Sequence, residues 1–132
     1  MTPTKTNVTD YLVNMAETKT LIVYSELYNH FGIRTGPADD TNPIPLFLGQ
    51  IMRDNAARGE PLLPSIVVKK EKDVPKTELI PNDMYFTTLS VVRNIVMPRT
   101  KADKRRLHQI ERDAVFDRST PAAGQLFEPD GD

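Results

Sequence analysis

Segment 43–58 constrains the fold more than any other stretch of this 132-residue chain. Ile44, Phe47, Leu48, Ile51 and Met52 recur at the i, i+3, i+4, i+7, i+8 positions that share one face of an α-helix. Asn42 supplies a capping side chain, and Pro43 is tolerated at the first helical position. Pro45 still falls in the first turn, where a missing N–H breaks no intrahelical bond. Gly59 closes the segment, whose outward positions read Leu46, Gln50, Arg53, Asp54 and Ala57.

Other elements must cover that stripe. A helix is expected over 8–17, capped by Asn7 and burying Val8, Leu12, Met15 and Ala16. Leu21-Ile22-Val23 reads as a brief strand. Ser25 opens a second helix with Leu27, Tyr28 and Phe31 inside, ended by Gly32, and 35–43 is loop. Past the long helix, Ile66-Val67-Val68 reads as a strand running into lysines. Tyr85-Phe86-Thr87-Thr88-Leu89 reads as its return partner, which makes an antiparallel hairpin. Residues 91–96 either extend that strand or form a short helix. A last helix over 101–117 places Leu107, Ile110, Ala114 and Val115 inside, with Lys104, Arg105, His108 and Arg112 outside. Residues 119–132 are acidic and aperiodic, a disordered tail by composition. The expectation is one α+β domain over 1–118 followed by that tail.

Hydrophobic residues at 39 % and charged residues at 27 % support a modest core and argue against a wholly disordered chain. The absence of cysteine excludes a disulfide, a thiolate metal site and a cysteine nucleophile. No apolar run is long enough for a membrane-spanning helix, and Met1-Thr2-Pro3-Thr4-Lys5 lacks the order of a signal peptide. An intracellular, cytoplasmic protein is therefore expected. The net charge of −1 hides an asymmetry. Arg99, Lys101, Lys104, Arg105, Arg106 and Arg112 outweigh Asp103 and Glu111 by +4 over 98–112, whereas 113–132 carries −4. A second cluster, Lys69, Lys70, Lys72 and Lys76, meets only Glu71 and Asp73.

Helix, short strand, helix, loop, helix and hairpin is the order of a winged helix-turn-helix domain. Thr20-Leu21-Ile22-Val23-Tyr24-Ser25-Glu26-Leu27, Leu48-Gly49-Gln50-Ile51 and Pro61-Leu62-Leu63-Pro64-Ser65-Ile66-Val67-Val68 carry a closer likeness. These runs resemble the winged-helix domains of alkyltransferase-like DNA-binding proteins. They are also similar to small winged-helix modules of mobile-element and nuclease-associated proteins. The likeness covers under half the chain and implies a DNA-binding role with 43–58 as the recognition helix. Two departures stand out. Such an alkyltransferase-like site places a Pro-Cys-His-Arg run near Pro64, where this chain has Ser65 and Ile66, so alkyl transfer to a thiol is excluded. Residues 75–86 contain no glycine, so the wing is longer and built differently.

On that frame, Gln50, Arg53 and Asn55, with Arg58 at the helix end, have the chemistry to read base edges: Arg toward guanine, Gln or Asn toward adenine. They also fit ordinary solvated positions on a packed helix. Lys69, Lys70, Lys72 and Lys76 would meet phosphates at the wing, or would merely keep a sheet edge soluble. Lys104, Arg105 and Arg112 would follow a phosphate backbone, an acidic protein surface or the chain's own tail. No catalytic residue, metal ligand or cofactor is expected. His30 and His108 have no metal-binding spacing, and Asp39-Asp40 are adjacent loop residues that point apart. The expected function is non-catalytic binding of double-stranded DNA by an accessory or regulatory protein of a phage or mobile element. The alternative is a protein-interaction module, such as an inhibitor of a host defence or restriction system. A homodimer through the last helix is compatible with either.

Overall fold

Thr4 starts the first helix earlier than the apolar pattern alone predicts. A computed structural model of the protein describes residues 3–36 and 39–118, and the tail expected over 119–132 lies outside them. Helix α1 spans Lys5–Glu17. Thr4 Oγ1 accepts from the Asn7 N–H at 3.1 Å while Asn7 Oδ1 accepts from the Thr4 N–H at 3.0 Å. Asn7, expected as the cap, is thus the third residue of a reciprocal capping box. Val8, Leu12 and Ala16 face the core as expected, with Met15 half-buried.

Strand β1, Ile22–Val23, leads straight into helix α2, Tyr24–His30. The opening is one residue before Ser25, because Glu26 Oε1 reaches back to the Val23 N–H at 2.9 Å. Gly32 ends the helix at φ 72°, a left-handed conformation that a Cβ disfavours. Helix α3 spans Ile44–Ala57 and buries Ile44, Leu48, Ile51 and Met52, as the stripe requires. A 3-10 turn at Leu63–Ile66 then feeds strand β2, Val67–Val68.

The expected antiparallel hairpin is absent. β2 pairs with β1, in parallel, with Ile22 opposite Val67 and Val23 opposite Val68. Parallel strands need a long crossover, and α2, the loop and α3 supply it. Residues 85–89, read as the return strand, lie instead in helix α4, Asp83–Val92. Asn82 caps it by accepting from the Tyr85 N–H at 3.2 Å. The physical reason is the burial pattern. Tyr85, Phe86 and Leu89 are buried while Thr87 is exposed, which is helical spacing rather than alternation. A strand would put Phe86 on the face opposite Tyr85 and Leu89. Losing the burial of a phenylalanine costs about 2 kcal/mol or more, and strand propensities span only about 1 kcal/mol. Val91 and Val92 form the last turn of α4, which settles the two options left open for 91–96 in favour of helix followed by a turn at Asn94.

Helix α5 spans Lys101–Arg118, with its face rotated from the expected one. Ile110, expected inside, is 57 % exposed, and His108, expected outside, is 2 % exposed. The buried and half-buried positions are 104, 107, 108, 111, 112, 114, 115 and 116. A buried backbone acceptor sets that rotation. The Ser65 carbonyl in the 3-10 turn takes a hydrogen bond from His108 Nε2 at 2.7 Å, and turning Ile110 inward instead would orphan that buried acceptor, a cost of about 1–3 kcal/mol that offsets what burying an isoleucine side chain gains. The main core joins α1, β1, α2, α3, the 3-10 turn and β2, with Leu79 and, from α5, Val115 inserted into it. A second cluster of Met52, Leu62, Tyr85, Phe86 and Leu89 fastens α4 to the far side of α3. Ser65 and Tyr85 hydroxyls, both buried, lie 2.6 Å apart within it. Among the described residues no helix is long and apolar enough to cross a membrane.

Candidate nucleic-acid interface

With no hairpin, the lysines after β2 ride on an irregular segment. The Lys69 N–H donates to the Ile80 carbonyl at 2.8 Å, which closes 70–79 into a loop. Asp73 turns that loop at φ 62°. Glu71 then accepts from Lys101 through both carboxylate oxygens at 2.8 Å, which ties the loop to the start of α5. That bond holds the Glu71 carboxyl below its usual range, with Arg105 and Lys69 adding to the effect. On the opposite side Asp83 pairs with Lys104 at 3.1 Å, and the Lys104 ammonium lies 5.7 Å from the centre of the Phe86 ring.

These ties enclose a cleft of about 390 Å³. Its cations are Lys69, Lys70, Arg99, Lys101 and Lys104, and its carboxylates are Glu71 and Asp83. Both carboxylates are already paired within the cleft. Lys69, Lys70 and Arg99 make no ion pair among the described residues, so the cleft carries a surplus of three positive charges. Such a cleft can hold an anion with several oxygens, of which a phosphodiester backbone is the extended case.

The other expected contacts scatter. Lys72 and Lys76 line a separate depression beside Glu26, which shares Lys70 and Glu71 with the cleft. Lys76 pairs with Glu26 at 3.0 Å, and the Val23 N–H followed by Lys76 keeps the Glu26 carboxyl below its ordinary range. Arg112, expected to face solvent, is mostly buried. It donates to the Thr77 carbonyl at 2.9 Å and braces the loop rather than waiting for a ligand. Arg105 is exposed and close enough to lower the Glu71 carboxyl, so it extends the basic cleft along α5.

On α3 the expected reading face is only partly there. Arg53 is exposed and Gln50 half-exposed, and Arg58 at the end of the helix leans toward Glu60 at 3.8 Å. Asn55 is not available at all: it is 4 % exposed. Its Oδ1 accepts from the Leu63 N–H at 2.9 Å and its Nδ2 reaches Glu60 at 3.4 Å. The side chain brackets the turn after α3, and the cost of leaving the Leu63 donor unsatisfied is what fixes it inward. Asp54 is neutralised by Lys5 at 2.9 Å. Gln50, Arg53 and Arg58 line none of the basic clefts, whereas Pro45, Leu48 and Gly49 of the same helix line a small apolar slot that reaches Asn82 at the cleft rim.

The sequence reading omitted Arg99 and Lys101 from the candidate contacts, although both stood in its charge count. Thr100 between them caps α5 by accepting from the Asp103 N–H at 3.1 Å, and that cap signal would have placed both at the mouth of the helix. His30 stacks on Tyr11 with ring centres 4.1 Å apart. Asp39 Oδ1 accepts from the Thr41 N–H and hydroxyl at 2.8 and 2.6 Å, a local turn contact. Among the described residues no three His, Asp or Glu side chains gather in a metal-binding group. No protein-family model, curated protein or solved structure matches the chain.

Proposed function

We propose that this chain is a non-catalytic nucleic-acid-binding protein, an accessory or regulatory factor of a phage or mobile element, and that its ligand is double-stranded DNA. The frame is read as a winged-helix variant in which α2 and α3 form the helix pair. The 69–80 loop, strapped to α5, stands where a hairpin wing would be. The observation that carries the reading is the cleft where Lys69, Lys70 and Arg99 are left unpaired while the neighbouring carboxylates are spent on Lys101 and Lys104. Backbone phosphates are the ligand that such a surplus attracts without sequence preference. Arg53 and Gln50 on α3 are the groups with base-reading chemistry that remain exposed.

Fluorescence anisotropy with a random duplex at two salt concentrations tests this. Affinity should fall with salt at a logarithmic slope of about −3 or steeper, about one unit for each counterion released at Lys69, Lys70 and Arg99. The double variant K69E/K70E should abolish the signal. A salt-independent signal, or none, refutes the reading. One observation favours the protein-binding alternative: Leu46 and Met84 are 61 % and 56 % exposed on α3 and α4, whose neighbours Pro45 and Gly49 line the same apolar slot as Met84. An inhibitor of a defence or restriction system would use that surface. L46E/M84E would then abolish co-purification of a folded partner and leave duplex binding unchanged.

A further inference from the structure

We infer that the cleft beneath Arg34 is a second phosphate site, and that one nucleic-acid strand crosses from it to the Arg99 cleft over a ridge made by Lys69 and Lys70. The inference rests on the nucleic-acid reading above and extends its footprint to a loop that the sequence did not single out. A cavity of about 560 Å³ opens between the end of α2, residues 33–36 and the lysine pair. Arg34, Lys69 and Lys70 are its charged lining residues, and among the described residues no carboxylate lines it. Lys69, Lys70 and Asn82 line both this cavity and the Arg99 cleft, so the two are neighbours sharing one wall.

The lip that carries Arg34 is built rather than loose. At one end Gly32 takes φ 72° and the Ile33 N–H donates to the Tyr28 carbonyl at 2.9 Å. At the other end Asn42, only 5 % exposed, donates through Nδ2 to the carbonyls of Thr35 at 3.3 Å and Gly36 at 3.2 Å. Its Oδ1 accepts from the Ile44 N–H at 3.1 Å, which joins the lip to the first turn of α3. A buried amide thus ties the backbone that displays an exposed arginine to the first turn of α3, and it also meets the Tyr28 hydroxyl. A lip held in advance loses less freedom when an anion arrives.

The chemistry of the cavity specifies the ligand further. Val23 and Ile33 give it an apolar side, which suits a sugar. The Tyr24 hydroxyl is already occupied by the Asn82 N–H at 3.2 Å. Lys70 lies in the field of Glu26, but that carboxylate is held by Lys76 and the Val23 N–H outside the cavity. An anionic group between Arg34 and the ridge, followed by an apolar unit and a second anionic group toward Arg99, matches the repeat of a phosphodiester backbone.

The test is anisotropy with the same random duplex on the full chain, using Arg34→Ala, Arg34→Lys and Lys72→Ala. Lys72 lines neither cavity and serves as the control. Thermal melts check that each variant folds. Arg34→Ala should bind about five- to tenfold more weakly, with the salt slope reduced by about one unit, while Arg34→Lys keeps the slope and Lys72→Ala changes nothing. If the wild-type chain binds duplex and Arg34→Ala matches it, the second site is refuted and the nucleic-acid reading stands. If the wild-type chain does not bind duplex, that reading falls and inorganic triphosphate replaces the duplex. Amide chemical-shift changes at Arg34 and Lys69 that vanish in Arg34→Ala then support a phosphate site, and their absence overturns it.

Discussion

His108 should make the stability of this protein depend on pH in a window where carboxylates contribute little. The imidazole sits between α5 and the 3-10 turn, with its Nε2 2.7 Å from the Ser65 carbonyl. A carbonyl can only accept, so Nε2 carries the proton and Nδ1 is the atom that would take a second one. Burial pushes the pKa down from 6.5 to about 4; the Ser65 bond opposes that shift, and the nearby Arg112 charge adds to it. The unfolded chain therefore binds a proton at His108 before the folded chain does. Stability is complete above the unfolded value of 6.5 and declines as the pH falls toward 4. From the two values the loss is about 1.4 kcal/mol at about pH 5.5 and about 2.6 kcal/mol at about pH 4.5. Urea titrations across that range measure it. His108→Gln is the comparison, since an amide can still donate to Ser65 but does not titrate. The variant will be less stable near neutrality because it fills the site less well, yet the gap between the two proteins should narrow by those amounts as pH falls. A gap that stays constant from about pH 7.5 to 4.5 would show that the histidine is not neutral in the fold, and the assigned rotation of α5 would go with it.

The remaining predictions concern other single groups. Tyr85→Phe leaves the buried Ser65 hydroxyl without its 2.6 Å partner and should cost about 1–3 kcal/mol in chemical denaturation, whereas the double variant with Ser65→Ala should recover most of that loss. Asn55→Leu should destabilise by about 2 kcal/mol by orphaning the Leu63 N–H, and a variant of wild-type stability would mean the turn is not bracketed as described. Arg112→Ala should lower stability yet leave the salt slope of duplex binding unchanged, because its guanidinium braces Thr77. A reduced slope would return Arg112 to the interface.

Elements whose apolar residues fall on one face were legible in the sequence. The stripe of α3 and the buried side of α1 came through with shifts of one to three residues at their ends, since caps such as Thr4 depend on a reciprocal bond that periodicity does not carry. Residues 85–89 misled because aromatic and β-branched types favour strands locally, while the burial that decides the matter comes from Met52 and Leu62 elsewhere in the chain. The Asn82 cap and Asp83 in the first turn were the readable signals for a helix there. In α5 the inward face includes Lys104, His108, Glu111 and Arg112, polar residues that no hydrophobic pattern selects. Each is placed by a partner in another element: Asp83, Ser65, Arg93 and Thr77.

That same pairing explains why charge counted along the chain misplaces the unpaired cations. Segment 98–112 holds the densest run of cations, but Lys101, Lys104, Arg106 and Arg112 are engaged with Glu71, Asp83, Asp103 and Thr77. A cation beside a carboxylate contributes almost nothing at the distance of an approaching ligand, since the two fields cancel and salt screens the remainder. What is left at the start of α5 is Arg99 and Arg105, too few to hold a polyanion alone. Lys69 and Lys70, from a cluster with fewer cations, become the centre of the unpaired charge because the loop folds them against that end of α5 while Glu71 turns to Lys101. The fold therefore concentrates its unpaired charge by spending carboxylates elsewhere. Reversing one such expenditure tests the idea: Glu71→Gln releases Lys101 into the cleft and should steepen the salt slope of duplex binding by about one unit. An unchanged slope would mean that the cleft does not meet phosphates, whatever its surplus.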